Sequence, residues 1–192
     1  DTLGPDLTWT ELAGDVDIVG NRARTTTLGA HTLARANSDL ASSDHYVQAS
    51  CGTDEGTAGD DNGLIFRKDG TGTLTYYLGT GDMALSVNNV VIYKSVAGLF
   101  TELGTRGSQT YAVEPTRFLH RCEADGSTIT MDVDGVNKVT VTDTSITTGL
   151  RAGIRGFKVA AGSLSWDNFE AGDLVVGSAS TARLLNLLGV GL

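Results

Sequence analysis

Along most of the chain apolar and polar residues alternate one by one, in short runs broken by clusters of glycine, asparagine and aspartate. A period of two puts successive side chains on opposite faces of an extended strand. No apolar stripe of helical period longer than about two turns precedes residue 178. The opening meander is predicted at Thr8 to Leu12, Val16 to Val19, Arg22 to Thr26 and His31 to Ala34. Asp44 to Ser50 follows as an interior strand, and Gly52 to Asn62, which holds no apolar residue larger than alanine, as a loop. Gly63 to Lys68 and Leu74 to Gly79 flank Asp69-Gly70, and Met83 to Val87 and Val90 to Ser95 flank Asn88-Asn89, read as a type I′ hairpin. Gln109 to Ala112 leads to Arg117 to Ala124, Thr128 to Val133 and Lys138 to Thr142, a meander joined by Asp125-Gly126 and Asp134-Gly135. Ala152 to Arg155 and Ser163 to Gly172 close the series.

About fourteen strands are too many for a small barrel and fit two stacked sheets; no alternation of strand and helix supports a parallel sheet. The fold class is therefore all-β, a two-sheet antiparallel sandwich with Greek-key connections. It spans residues 1–172, and residues 173–192 form a separate C-terminal tail. Ser178 to Leu192 is read as a short helix capped by Ser180 or Thr181, or as an extended arm. Leu184, Leu185, Leu187 and Leu188 need a surface to cover, which makes this a docking segment for other subunits of an assembly.

Composition narrows the partners. With 192 residues the chain suits one domain with a real core. It carries 14 basic and 23 acidic residues, net −9, with no basic stripe, which argues against nucleic acid. No run of ~18 apolar residues exists to span a membrane as a helix. The chain opens on Asp1 without a charged-then-apolar leader and is read as a piece of a longer one. Cys51 and Cys122 lack zinc-site spacing; they either pair, closing a loop worth ~4 kcal/mol of chain entropy, or remain two buried thiols.

The ordered segments LTWTELAGDVDIVGNRAR, DHYVQAS, NGLIFRKDGTGTLTYYLG, FLHRCEADGSTITMDVDGV, VTDTSITTGLRAGIRG and SWDNFEAG resemble the concanavalin A-like, laminin-G-like jelly rolls of bacterial secreted proteins and phage virion proteins. Trp9 and Trp166 are then expected where the first and last strands meet, and the glycines of GLRAGIRG at a sandwich edge. The resemblance implies a structure, not an activity, because the fold hosts lectins, glycosidases and virion parts alike.

Candidate chemistry is sparse. The alternating acid motif of the superfamily's glycosidases is missing, and of the nearest pair, Asp132 and Asp134, the second belongs to a turn. His31, His45 and His120 fall on separate strands, with His45 and His120 considered as cross-strand neighbours. No enzyme is expected. Structural calcium, which many jelly rolls of this kind hold, would draw on the loop containing Asp54, Glu55, Asp60, Asp61 and Asn62, with Asp167 of SWDNF a second candidate. A sugar would be held by Arg67, Tyr76, Tyr77 and Tyr93. The expected function is a structural or adhesion module of an extracellular or virion-surface assembly, such as a phage capsid-decoration or tail-appendage protein. The alternative is a carbohydrate-binding module of a secreted multidomain bacterial protein.

Overall fold

The structure, a computed structural model, describes residues 8–70, 74–84 and 87–174. Fourteen strands are found among them, and no helix. In chain order they are β1 (Trp9–Ala13), β2 (Asp17–Val19), β3 (Arg22–Thr25), β4 (His31–Ala36), β5 (His45–Thr53), β6 (Asp61–Lys68) and β7 (Tyr76–Asp82). The second half comprises β8 (Val87–Val96), β9 (Leu99–Thr110), β10 (Phe118–Asp125), β11 (Thr128–Val133), β12 (Val136–Thr142), β13 (Arg151–Phe157) and β14 (Leu164–Asp173). They form two seven-stranded antiparallel sheets. The first has the order β1-β4-β13-β6-β7-β8-β9, the second β12-β11-β10-β5-β14-β3-β2.

Alternation drives the packing. On β5, Val47, Ala49 and Cys51 turn inward; on β10, Cys122 and Ala124; on β11, Ile129, Met131 and Val133. Leu64, Phe66 and Tyr77 meet them from the first sheet, with Trp166 fully buried and its indole N–H donating to the Gly63 carbonyl at 3.2 Å. Trp9 reaches across to the ring of Phe169 on β14, 4.8 Å away, so the first and last strands do meet through aromatics. Glycine sets how closely the sheets approach: a Cβ on Gly79 would fall 2.3 Å from Cys122 Sγ. Along one side the sheet edges nearly touch, since a Cβ on Gly107 of β9 would lie 2.4 Å from the Lys138 carbonyl of β12.

The meander is present, with its first turn one residue later than read: Asp125 ends β10 paired with Thr128, and Gly126-Ser127 make the turn. Asp134 and Gly135 both take positive φ, 52° and 75°, between paired Val133 and Val136, as a type I′ turn requires. Elsewhere the reading is corrected. Asn88 and Asn89 are not a turn; they pair with Gln109 and Ser108 inside β8, and the hairpin lies at Ala97-Gly98 (φ 51° and 86°). The partner strand β9 was read only at its end. β5 and β6 extend into the acidic glycine-rich stretch, leaving residues 54–60 as the loop. Of the glycines of GLRAGIRG, Gly153 and Gly156 lie within β13, an interior strand of its sheet, while Gly149 precedes the strand. A Cβ on Gly156 would meet Trp166 at 2.8 Å, so this glycine makes room for the indole.

Candidate functional site

The outward face of the first sheet follows from the period of two. Ala152 and Ile154 of β13 enter the core, so Arg151, Gly153, Arg155 and Phe157 face outward. Cross-strand partners place His31, Leu33 and Arg35 of β4 beside them, and Asp61, Gly63 and Ile65 of β6 on the other side. Tyr76 and Leu78 of β7 and Tyr93 of β8 continue the row, and Phe100 of β9, opposite Ser95, completes it.

This face is concave. His31 and Phe100 stand on strands separated by four others, which a flat sheet would hold ~24 Å apart. Their rings are 5.9 Å apart. The floor is a small apolar cluster of Leu33, Ile65, Tyr76 and Leu78 with Leu12 and Tyr93 packed against it, separate from the main core. Phe100 packs edge-on to both Tyr76 (6.1 Å) and Tyr93 (6.4 Å), and its ring stays 40% exposed.

Arg155 lies in the middle of the trough, 6% exposed. Its guanidinium sits 5.2 Å from the Phe100 ring centre, donates to His31 Nδ1 and stands 4.0 Å from the Asp61 carboxylate. Burial and the neighbouring guanidinium lower the pKa of His31, favouring the neutral imidazole that such a bond needs. Burial raises Asp61 to about 6, with Asp82 and Asp60 adding to the shift and Arg155 opposing it. Rings, an apolar floor and charged hydrogen-bonding groups in a concave surface can grip a polar ligand that has apolar faces.

The sequence-predicted residues divide. Tyr76 and Tyr93 share the concave face. Tyr77, its neighbour in sequence, points the opposite way and is fully buried, its hydroxyl donating to Asp143 at 2.6 Å. Arg67, 1% exposed, turns between the sheets to Asp44 (2.7 Å) and the carbonyls of Ser43 and Ile146, held by a left-handed backbone with φ 45°. Neither side chain reaches the trough. Phe100, Arg155, Arg35, Arg151 and His31 were not singled out for it, although the alternation in RAGIRGF carries a usable signal: arginines and a phenylalanine at every second position but one.

Asp60, Asp61 and Asp167 do not converge. Asp60 is fully buried with both oxygens taken, one by Lys158 Nζ at 2.9 Å and the other by the Val159 N–H at 2.8 Å. An internal ammonium thus stands where a metal ion would. Asp61 faces the opposite side, into the trough, and Asp167 lies on the other sheet, paired with Arg117 at 2.8 Å. No cluster of three potential metal-ligating His, Cys, Asp or Glu residues occurs among the described residues. These carboxylates do not fit a calcium site.

Cys51 and Cys122 are free thiols. In the β5–β10 register Cys122 pairs with Val47 and Cys51 with Phe118, an offset of four residues or ~13 Å, beyond the reach of a disulfide. The same register separates His45 from His120: His45 accepts the Arg67 backbone N–H, and His120 meets the Tyr111 hydroxyl at 3.0 Å. Asp132 takes a bond from Asn137 (2.9 Å) and Asp134 one from the Leu119 N–H (2.8 Å), both structural roles. Leu184, Leu185, Leu187 and Leu188 lie outside the described residues.

On the outer face of the second sheet Glu170 is bonded to Tyr46 and Gln48, and Arg121 is stacked 3.9 Å above the Tyr46 ring. A separate cleft of about 410 Å³ opens between β1 and β2, with Trp9, Val16, Ile18 and Ile154 among its walls.

No protein-family model matches this sequence, and no curated protein sequence matches it. Solved structures do match in three dimensions. The carbohydrate binding module CBM66 from Bacillus subtilis superposes with a TM-score of 0.70 at 16% identity, covering 88% of this chain and 98% of its own. The exoplasmic/lumenal domain of VIP36, in a form bound to Ca2+ and Man3GlcNAc, reaches 0.65 at 12% identity, with 95% and 90% covered. A legume lectin-like domain from Entamoeba histolytica gives 0.60 at 11% identity, with 87% and 90% covered. Its fourteen strands in two sheets, matched over most of their length by such structures, give this chain the fold of the concanavalin A-like, lectin-type jelly rolls.

Proposed function

We propose that the protein is a non-enzymatic carbohydrate-binding module of an extracellular protein, with the concave face of its first sheet as the sugar site. The observation that carries this reading is the trough itself, where Phe100 and Tyr93 offer ring surface beside the hydrogen-bonding groups of Arg155, His31 and Asp61. Sugars present just this alternation of C–H faces and hydroxyls. The fold neighbours, carbohydrate-binding and lectin-like by name, favour this role over one in a virion assembly, for which they supply no support. Asp61 lies beside Asp82 at one end of the trough, and Asp82 there accepts the backbone N–H groups of Gly59 and Ala84, a structural role.

A glycan array probed with the labelled protein is expected to retain it on a restricted set of saccharides. Phe100→Ala should weaken that retention at least tenfold while leaving thermal stability near wild type. Because the aspartates do not converge on a metal, binding should persist in a calcium chelator. An array without any ligand, or full retention by the Phe100 variant, would refute the assignment.

A further inference from the structure

Three aspartates, Asp60, Asp61 and Asp82, meet at one end of the first sheet, and two of them are already committed. Asp60 has both oxygens taken, by Lys158 and by the Val159 N–H. Asp82 accepts the backbone N–H groups of Gly59 at 3.1 Å and Ala84 at 3.3 Å. Asp61 differs. Among the described residues its carboxylate accepts no hydrogen bond, and Arg155 NH1 stands 4.0 Å away, beyond hydrogen-bond reach. Its side chain is 31% exposed, so a molecule lying in the trough can touch it.

The pairing register fixes what stands around this group. Asp82, Asp61, Phe157 and His31 form one row across β7, β6, β13 and β4. Side chains directly opposite on paired strands are neighbours, so Asp61 lies between Asp82 and the ring of Phe157, which packs 4.8 Å from that of His31. A sugar resting its C–H face on such rings carries its hydroxyls at the edge, where a carboxylate in the same row meets them. Hydroxyls supply what Asp61 lacks. An ionised carboxylate is purely an acceptor, and two O–H groups on adjacent carbons can serve both of its oxygens at once.

We infer, building on the carbohydrate-binding reading of this face, that Asp61 selects the saccharide by accepting hydrogen bonds from a pair of neighbouring hydroxyls, and that mild acid releases the bound sugar. Once protonated, the group must donate from one oxygen and no longer offers two acceptors. Burial first, and then Asp82 and Asp60, push its pKa up to about 6, against the pull of Arg155. Lys158 is turned away to Asp60. His31, at the end of the row, has its pKa lowered by burial and by Arg155, and is the second group there that can respond to acid.

A glycan array of neutral saccharides, read at pH 7.5 and at pH 5, provides the first test. Retention of the wild type should fall about tenfold at the lower pH, because only the ionised fraction binds. Asp61→Asn, which keeps a single acceptor oxygen, should bind at least ~10-fold more weakly at pH 7.5 and lose nothing further at pH 5. His31→Gln should keep the acid sensitivity. Calorimetry of the wild type with the best-retained saccharide, in two buffers of unlike ionisation enthalpy, needs no variant. Binding the ionised form should expel about half a proton at pH 6 and almost none at pH 8. Retention indifferent to acid, acid loss that persists in Asp61→Asn, or binding at pH 6 without proton release would overturn the role of Asp61 and leave the sugar reading standing. An array that retains nothing at either pH would overturn both.

Discussion

His120 is fully buried, and with its Nε2 unprotonated it accepts from the Tyr111 hydroxyl while Nδ1 finds no partner. Burial pushes its pKa down to about 4 from an ordinary 6.5. In the window between these values the unfolded chain binds the extra proton and the folded chain does not, so stability must fall as the pH drops from 6.5 towards 4. The loss through this one group is ~3 kcal/mol. Urea denaturation of the wild type and His120→Gln should therefore differ by ~3 kcal/mol less at pH 4 than at pH 7. A gap that stays constant with pH would show that His120 does not titrate in that range. Asp61, raised to about 6, works in the opposite sense by taking up its proton first in the folded state. The comparison cancels it because both proteins contain it.

At the level of the element, Ala97 occupies a left-handed position that costs a residue with a Cβ ~1–2 kcal/mol. Ala97→Asn places the turn's preferred residue before Gly98 and should stabilise the protein by ~0.5–1 kcal/mol in chemical denaturation. A loss of stability would mean that the turn geometry is not type I′. The same hairpin explains a limit of sequence reading. Asparagine tolerates left-handed φ but does not demand it, and Asn88-Asn89 was drawn into a long strand by pairing with β9. Asp134-Gly135, flanked by strongly alternating runs, was legible because pattern and turn chemistry agreed there. For the site, alternation announced that Tyr76 and Tyr77 face opposite ways, yet not which one meets the core. Arg67 could not be assigned from its spacing, since its positive φ breaks the register of β6. Phe100, from an edge strand, reaches Arg155 only because the whole sheet curls, and no local pattern encodes curvature.

At the scale of the whole molecule, the two sheets approach as closely as Gly79 permits, against Cys122 and Met131. Gly79→Ala should cost ~1–3 kcal/mol by overpacking. Adding Cys122→Ala removes the sulfur it strikes, so the double variant should recover at least half of that loss. Simple additivity of the two changes in urea denaturation would dissociate Gly79 from the spacing between sheets. With both cysteines free and buried, that spacing is fixed by packing alone.

The near-contact of β9 with β12 works like the spine of a book, closing one lateral side of the sandwich. Among the described strands, only β1 and β2 then border the open side, with five and three residues. A bulge between Glu11 and Ala13 further interrupts β1. Short and irregular edges make poor templates for strand addition. Among the described residues, the margin left open to a further strand is thereby made a poor starting point for runaway self-association.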